Sequence, residues 1–264
     1  MLLSKKFNFL RPIKTSKLIR LGNNQDGGYL LPIDALKKSE NLISFGLGDN
    51  FSFEMDFFKK KPNGLIYVFD HTVNIFTFIW QVYICFKRIF YFKSNFKVLF
   101  KKIVNLKNYY FFFNKVNVQH FRKKIVAKKK NKNQFDLKNI FKIIKSNENI
   151  ISIDIEGCEY EIIDDLKKFS NKINLSIIEF HDLDKNFSLF KRKILKLKKF
   201  FNIIHLHGNN NSKRLDNGLP NVLEITFLNK KKFKLRTRDL LKKFPTKLDF
   251  PNQPLKEDYS FSFY

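Results

Sequence analysis

The chain contains little cysteine, which limits both disulfide and metal chemistry. Cys85 and Cys158 are the only two among 264 residues, and neither belongs to a C-x-x-C pair or another common ligand spacing. A disulfide framework is therefore not expected, and this cysteine usage fits a reducing compartment such as the cytoplasm. His205 and His207, with His181 or Asp154, are the candidate ligands, but cysteine ligands and a close spacing of the whole set are missing, so we predict no bound metal.

Long hydrophobic runs are also missing. The most apolar window, 75–86, contains Gln81 and ends at Lys87, so it is too short to span a bilayer as a helix. Lys5 and Lys6 stand near the amino end, but no uninterrupted apolar stretch follows them, and we predict no signal peptide. These absences favour a cytoplasmic protein over a secreted or membrane-spanning one.

Acidic residues are scarce relative to basic ones. Asp and Glu number 24 against 51 Lys and Arg, which gives a formal net charge of +27. Such a charge attracts nucleic acids and anionic membranes. However, Lys, Asn, Ile and Phe are abundant throughout, and all four have AT-rich codons, so genome composition alone also accounts for it. We expect the charge to form mainly a solvated basic surface, which can also contact an anionic membrane peripherally. We expect no obligate nucleic-acid partner.

The length and the 44% content of hydrophobic residues suit a single domain with a substantial core. We predict one domain over 1–264, with its core at about 20–228. An aromatic and basic insertion at 72–115 is expected to be helical in its first half. The last part, 229–264, is predicted to be a strap packed on the domain.

Apolar runs alternate with amphipathic stretches, a pattern typical of α/β proteins. Strands are predicted at 42–45, 65–69, 149–153, 175–178, 201–205 and 222–228, with one or two short ones in 114–127. Helices are predicted at 51–60, 137–145, 159–169 and 189–200. The loop 207–221 leaves no room for a helix, so the last two strands should form an antiparallel hairpin. The expected fold is a Rossmann-like sheet, mostly parallel with one antiparallel strand, with helices on both faces.

A Gly-x-Gly pair follows the first strand of this predicted core, and an acid follows the second. Gly46 and Gly48 come directly after an apolar run, and Asp70 comes directly after the next one. In open α/β sheets, such glycines let the backbone approach a nucleotide-type cofactor, and the acid accepts hydrogen bonds from ribose hydroxyls. The full dinucleotide fingerprint is absent, so the pair alone is a weak signal.

Polar residues also follow the later strands, where open sheets bind ligands. Asp154 and Glu156 follow the most apolar run, and Glu179 and His181 end the next strand. Since Glu179 and His181 have the same parity, they can face the same side, which makes His181 a candidate base. His205 and His207 also share a face.

Several segments together resemble the FkbM-type methyltransferases. The most specific is Asp154-Ile155-Glu156-Gly157-Cys158-Glu159, which is similar to that family's Asp-x-Glu-Gly-x-Glu signature. The other segments are Asp26-Gly27-Gly28-Tyr29, Ser44-Phe45-Gly46-Leu47-Gly48 with Phe53-Glu54, Ile178-Glu179-Phe180-His181, and His205-Leu206-His207-Gly208-Asn209-Asn210. The resemblance covers about 20–228. Two features depart from the family pattern: the insertion is enlarged, and the loop lacks the common Gly-Ala-Asn sequence.

The resemblance implies a seven-stranded methyltransferase sheet that uses S-adenosylmethionine to methylate a hydroxyl, often of a sugar in glycan or lipid-linked products. The implied cofactor-binding residues are Gly46, Gly48, Asp70, Asp154, Asp26 and Gly28. The catalytic candidates are His181, Glu179 and Glu156, and the substrate-binding candidates are His207, Asn209 and Tyr29. The expected acceptor is a sugar or a glycan precursor.

Several of these residues also have a structural alternative. Asp70 can cap the helix that follows it, Glu156 and Glu159 can complement a helix dipole in its first turn, and His181 can cap the sheet edge. His207-Gly208-Asn209-Asn210 can form an ordinary turn at the rim of the site. Two other functions stay open: a nucleic-acid (RNA) methyltransferase, and a non-catalytic basic protein that binds nucleic acid or membrane on the same fold.

Overall fold

The computed structural model describes residues 2–15, 17–236 and 238–264. A 3-10 helix, Lys5–Leu10, comes first. Strands β1 (Leu18–Leu21) and β2 (Tyr29–Pro32) then pair with each other in an antiparallel ribbon, and helix α1 (Ile33–Lys38) follows. The predicted Asp26-Gly27 turn lies between these two strands. The ribbon and α1 were not predicted, because their apolar runs are too short to show a clear period.

The main sheet has seven strands, and its class agrees with the prediction. In chain order they are β3 (Asn41–Phe45), β4 (Leu65–Phe69), β5 (Val118–Phe121), β8 (Asn149–Ile153), β9 (Ile173–Phe180), β10 (Phe201–Gly208) and β11 (Leu223–Asn229). Two short strands between β5 and β8, namely β6 (Lys124–Ile125) and β7 (Gln134–Phe135), pair only with each other. Across the sheet the order is β5-β4-β3-β8-β9-β11-β10. Strand β11 runs antiparallel to both of its neighbours, which confirms the mostly parallel sheet with one reversed strand.

Helices cover both faces of this sheet, as predicted. They are α2 (Ser52–Lys60), α3 (Ile75–Phe90), α4 (Phe96–Phe113), α5 (Leu137–Ile143), α6 (Glu159–Lys168) and α7 (Leu183–Leu197). Because strand side chains alternate, Ile43 and Phe45 enter the core under α5, α6 and α7, whereas Leu42 enters the core under α1, α2 and α4. The continuous apolar strands therefore reflect burial on both faces.

The segment 72–115 is helical in both halves, beyond its predicted first half. Helix α3 begins with a capping box in which the Asn74 side chain accepts from the Thr77 N–H, and the Thr77 hydroxyl accepts from the Asn74 N–H. Asn95 caps α4 by accepting from the Val98 N–H at 3.0 Å. The two helices pack side by side as a hairpin, in which the Phe78 and Tyr109 rings stack at 4.4 Å.

The last part of the chain packs on the edge of the sheet formed by β10. Strands β12 (Lys243–Phe244) and β13 (Phe261–Ser262) pair with each other and bury Phe244, Phe261 and Phe263. Within the described residues, no helix combines the length and the apolar character that crossing a membrane requires.

Candidate active site

A cavity of about 640 Å³ opens at the carboxyl ends of β3, β4 and β8. Its size falls within the range of small-molecule sites, which is about 300–1,000 Å³. Of the predicted site residues, Asp26, Tyr29, Gly46, Gly48, Asp70, Asp154 and Glu156 line it. The parallel sheet thus brings residues from four distant parts of the sequence to one rim, as the strand-end argument predicts.

The glycine loop after β3 crosses directly over the loop after β8. Gly46 has a φ of +80°, and a Cβ atom there would lie 1.7 Å from the Asp154 carbonyl oxygen. Only glycine fits this crossing, since both the conformation and the space exclude a side chain. Gly48 has a φ of +57°, and a Cβ there would have no atom within 4 Å. The second glycine therefore leaves open space on the loop.

Asp70 holds this glycine loop in place. Its Oδ2 accepts from the backbone N–H groups of Leu47 and Gly48, at 2.8 and 3.2 Å. Its Oδ1 accepts from the Thr72 N–H and hydroxyl, each at 2.6 Å. Burial alone would raise the pKa of Asp70, but the bonds from Thr72 and the loop lower it below its usual value. These four bonds use the acceptor directions of the carboxylate, so a ribose contact would have to replace one of them.

The cavity is acidic although the chain is strongly basic. Its lining carries the side chains of Asp26, Asp49, Glu54, Asp70, Asp154 and Glu156. The lysines on the lining are Lys123 and Lys124. A lining of this kind attracts cationic ligands and repels phosphates. It therefore suits a sulfonium and ammonium compound better than a pyrophosphate cofactor.

Glu54 is a buried acid on this lining that was not among the predicted site residues. It lies in the first turn of α2, is 5% exposed, and accepts a hydrogen bond from the Ser44 hydroxyl of β3. Burial is the main reason that its pKa rises to about 7, although the Ser44 bond opposes the rise. In the sequence, Glu54 stands out only as part of the family resemblance, because a first-turn acid usually has a local role.

Asp154, Glu179 and His181 meet beside the cavity. His181 Nε2 lies 3.7 Å from Asp154 Oδ1 and 3.9 Å from Glu179 Oε1. One ligand-type atom of each residue lies within 4.8 Å of the other two. Two carboxylate oxygens and an imidazole nitrogen form a donor set that divalent transition-metal ions accept. Among the described residues, this is therefore the group best placed to hold a cation.

The surroundings of this cluster change the pKa values of its three residues. Burial, reinforced by Asp154, raises the pKa of Glu179 well above its usual value. Burial also raises the pKa of Asp154 to about 6 against the effect of His181, although 41% of the Asp154 side chain remains exposed. Burial alone would lower the pKa of His181, but Glu159 and Asp154 raise it. Such groups can exchange protons near pH 7, which general acid–base catalysis requires.

Glu159 joins the loop after β8 to the end of β9. Its fully buried carboxylate accepts from the Gly157 N–H and from the His181 N–H, each at 2.7 Å. Its Oε1 also lies 3.4 Å from His181 Nδ1. Glu159 therefore positions His181, a role that the sequence did not reveal because the two residues are distant along the chain.

The remaining candidates differ in how close they lie to the cavity. Glu156 lines it, but its side chain is exposed and its φ is +47°. Tyr29 lines it with 9% of its surface exposed and packs edge-on against the Phe53 ring at 5.2 Å. Gly28 is not on the lining, because it packs under the turn against Asn23 and Arg20. Asp26 lines the cavity and accepts from Asn252 Nδ2 of the tail at 2.9 Å.

Two predicted substrate-binding residues, His207 and Asn209, are not on the lining. His207 is buried between Glu224 and Asp258, with its Nε2 3.1 Å from Asp258 Oδ2. Asn209 donates through Nδ2 to Glu179 Oε1 at 2.8 Å, so it contacts the cluster from behind. Their placement gives both residues a supporting contact, and a substrate role stays a prediction.

Comparison with known proteins adds little beyond the fold. No family model matches the chain, and no curated protein matches it. Among solved structures, a fibrillarin–Nop5p complex is similar at 13% identity and a TM-score of 0.41, covering 73% of each chain. The fibrillarin pre-rRNA processing protein of Methanococcus jannaschii is similar at 10% identity and a TM-score of 0.41, covering 74% of this chain and 68% of that one. M. jannaschii TYW2 in complex with AdoMet is similar at 10% identity and a TM-score of 0.34, with 81% and 89% covered. At these identities and TM-scores the likeness supports no argument about function.

Proposed function

We propose that this protein is an S-adenosylmethionine-dependent O-methyltransferase. The observation that carries the proposal is the acid-lined cavity at the glycine loop, with the His181 cluster beside its Asp154 wall. S-adenosylmethionine carries positive charge on its sulfonium and ammonium groups. Six carboxyl side chains line this cavity and would attract those groups. The resemblance to FkbM-type enzymes supports the same cofactor.

The chain offers a clear set of residues for the cofactor. Gly46 and Gly48 form the loop against which it would lie, and Asp26, Asp70 and Asp154 would supply carboxylates around it. When bound, S-adenosylmethionine supplies an activated methyl group on a positively charged sulfur. The protein then needs to hold the acceptor oxygen in line and to remove its proton.

His181 is the proposed base. Its Nδ1 lies toward Glu159, which is fully buried and holds the backbone of the same residue. We assign a proton to Nδ1, since a carboxylate beside it favours that tautomer. Nε2, on the side of Asp154 and Glu179, is then free to accept the proton of the acceptor hydroxyl. Asp154 stabilises the imidazolium that forms.

The acceptor that we propose is a hydroxyl of a carbohydrate or of a lipid-linked glycan precursor. This choice depends on the resemblance of the Asp154–Glu159 segment and of the His205–Asn210 segment to FkbM-type enzymes. The acidic lining also argues against an RNA acceptor, because a phosphate backbone would be repelled at the mouth of the cavity.

A second arrangement of the same chemistry is favoured by the geometry of the cluster. Asp154, Glu179 and His181 can bind a divalent cation, because their ligand atoms lie within 4.8 Å of one another. A bound cation would lower the pKa of a coordinated hydroxyl and make a separate base unnecessary. Titration of chelator-treated protein with Mn²⁺ and Mg²⁺, and with a Glu179→Gln variant as the comparison, distinguishes the two arrangements.

Calorimetric titration with S-adenosylmethionine and S-adenosylhomocysteine tests the proposal, with ATP and NAD as controls. We expect saturable binding of the first two ligands only. Asp154→Asn should weaken binding of the charged S-adenosylmethionine more than that of S-adenosylhomocysteine, which lacks the sulfonium charge. Asp216→Asn is the matched control, because it makes the same change on an exposed loop away from the cavity.

Binding of ATP or NAD with no binding of the two methyl-cycle ligands would contradict the proposal. Equal effects of Asp154→Asn and Asp216→Asn would remove the electrostatic argument and leave only the resemblance. Once binding is established, a screen of sugar acceptors with radiolabelled cofactor tests the second half of the proposal.

A further inference from the structure

The α3–α4 hairpin presents an unusually apolar outer surface. Among the described residues, most of the large apolar side chains that are exposed lie on this hairpin. Phe76, Trp80, Phe90, Phe92, Phe96 and Phe100 each have between 61% and 97% of their surface exposed. Exposed apolar area of this extent on one element usually marks an interaction site.

The exposed side chains follow the helical period, so they form continuous stripes. On α3 the stripe runs through Phe76, Trp80, Tyr83 and Phe90, at spacings of three, four and seven residues. The opposite side of the hairpin is fixed to the domain, because Phe78 of α3 and Phe112 of α4 both pack on Phe51 at about 6 Å. The outer face therefore has no partner within the described residues.

The same hairpin carries only positive charge. Between residues 71 and 135 the sequence has no Asp or Glu. Exposed cations alternate with the apolar stripes, among them Lys87, Arg88, Lys93, Lys97, Lys101 and Lys107. Two of these lie against exposed rings, with Lys87 Nζ 5.5 Å from the centre of Tyr83 and Lys107 Nζ 6.0 Å from that of Phe111. Cations beside aromatic residues are typical of helices that lie in a membrane interface.

We propose that the α3–α4 hairpin docks this protein on the surface of an anionic lipid bilayer. The two helices lie in the plane of the interface, with the aromatic stripes among the acyl chains and the lysines at the lipid phosphates. The apex, where Phe92 is 97% exposed between Tyr91 and Lys93, enters the bilayer with the stripes. This inference is independent of the proposed methyl transfer, since it concerns binding alone.

Two other occupants of this face fit less well. A second copy of the chain would bring two acid-free surfaces together, and the like charges would repel one another. An RNA would satisfy the lysines but not the aliphatic residues Ile79, Val98, Ile103 and Val104, which are exposed on the same helices. A bilayer with anionic headgroups complements both the charge and the aliphatic surface.

The hairpin also touches the rim of the candidate active site. Lys102 Nζ lies 2.9 Å from Asp49 Oδ2, and Asn105 Nδ2 donates to the Asp49 carbonyl at 2.8 Å. Asp49 lines the cavity. Docking would therefore place the mouth of the cavity near the membrane surface, where the lipid-linked acceptor of the proposed function would lie.

Trp80 allows a direct test, because it is the only tryptophan in the chain. The full-length protein is mixed with vesicles of phosphatidylcholine alone, or of phosphatidylcholine with phosphatidylglycerol, without any cofactor. We expect a blue shift of Trp80 emission, and quenching by brominated acyl chains, with the anionic vesicles only. Binding should weaken as salt is raised.

Matched variants separate the contributions. Phe92→Ser with Phe96→Ser should weaken sedimentation with anionic vesicles by roughly tenfold or more, as should Lys97→Glu with Lys101→Glu. Leu248→Ser with Leu255→Ser makes comparable apolar-to-polar changes at exposed positions elsewhere, and Lys167→Glu with Lys199→Glu makes the same charge change; both should have little effect.

Several outcomes would overturn the inference. Unchanged Trp80 emission with anionic vesicles would exclude insertion of α3. Binding to RNA, or a hairpin-dependent dimer in sedimentation, would assign the face to a different partner if vesicle binding were absent. Vesicle binding that only the charge variants weaken would reduce the contact to simple electrostatic attraction, without docking of the aromatic stripes.

Discussion

Two histidine–carboxylate clusters lie at the carboxyl ends of the strands, and they contain the same residue types in different arrangements. In the first, His181 Nε2 lies 3.7 Å from Asp154 and 3.9 Å from Glu179, which is too far for hydrogen bonds. In the second, under the tail, His207 Nε2 lies 3.1 Å from Asp258. Asp154 of the first cluster lines the cavity and the His181 side chain is 20% exposed, whereas the His207 side chain is 4% exposed.

The pKa values differ in the same way. Burial alone would lower the pKa of His207, but Asp258 and Glu224 raise it to about 10. Burial would raise the pKa of Asp249, but His205 lowers it to about 2. His207 and Asp249 are therefore both charged at neutral pH, whereas the protonation of the groups around His181 can change. The close pairing under the tail indicates a structural role, and the looser pairing beside a cavity indicates a chemical one.

The largest expected effect is on catalysis by the first cluster. His181→Asn should lower kcat by roughly 100- to 10,000-fold, because it removes the proposed base. Affinity for S-adenosylmethionine should stay nearly unchanged. The matched control is His71→Asn, since His71 lines the cavity but lies outside the cluster. Equal losses in both variants, measured as initial rates of methyl transfer, would argue against the assignment of His181.

The next effect is on stability through the second cluster. His207→Gln should lower the free energy of unfolding by about 3–5 kcal/mol, because it leaves the buried Glu224 without its cationic partner. Urea denaturation at neutral pH measures the change, and a second substitution, Glu224→Gln, should recover part of it. If His181→Asn destabilised the fold as much as His207→Gln, the distinction between the clusters would fail.

A pH series measures how one unpaired acid of the cavity affects stability. The folded pKa of Glu54, about 7, lies above its ordinary value of 4.5, so Glu54 favours the folded state most at low pH. Its contribution should fall by up to about 3 kcal/mol as pH rises from 4.5 to 7. Glu54→Gln, which can still accept from Ser44, should flatten this part of the melting-temperature profile. An identical profile in the variant would show that Glu54 ionises normally.

The smallest expected effect is at Asn209, which donates a hydrogen bond to Glu179 but does not line the cavity. Asn209→Ala removes the 2.8 Å hydrogen bond to Glu179 Oε1 and should lower kcat by roughly tenfold, since a buried hydrogen bond contributes about 1–2 kcal/mol. The optimum pH should also shift, which a purely structural role would not cause. Asn63→Ala, at an exposed turn between α2 and β4, is the control.

Much of the main sheet could be predicted from the sequence, because six of its strands are apolar runs that end at polar residues. The sequence predicts a loop at Gly46, but it does not predict that this loop crosses close to Asp154. The two segments that meet there are distant in sequence. The same limit applies to Glu159 at the start of α6, whose bond to the His181 N–H joins that helix to the residue after β9.

The site was predicted less completely than the fold. Strand parity correctly placed Glu179 and His181 together, but the same kind of argument also made His207 a candidate site residue. The tail makes the difference between His181 and His207, because Asp258 of the tail pairs with His207. Helix α4 was missed because its aromatic residues are exposed as well as buried, which hides the period that a one-sided helix shows.

The covering of β10 has a consequence for synthesis of the chain. The free edge of this strand is bonded by Ile13, whose N–H donates to Ile203 at 2.8 Å, and Leu241 in turn donates to Pro12. Leu3 donates to Ser262 at 2.8 Å, so the two ends of the described chain close over the edge together. On the ribosome Ile13 emerges before β10, whereas Leu241 and Ser262 emerge after it, so the edge is incompletely covered until the segment 229–264 has followed. During that interval β10 presents a partly unpaired edge that is open to mispairing with another nascent chain.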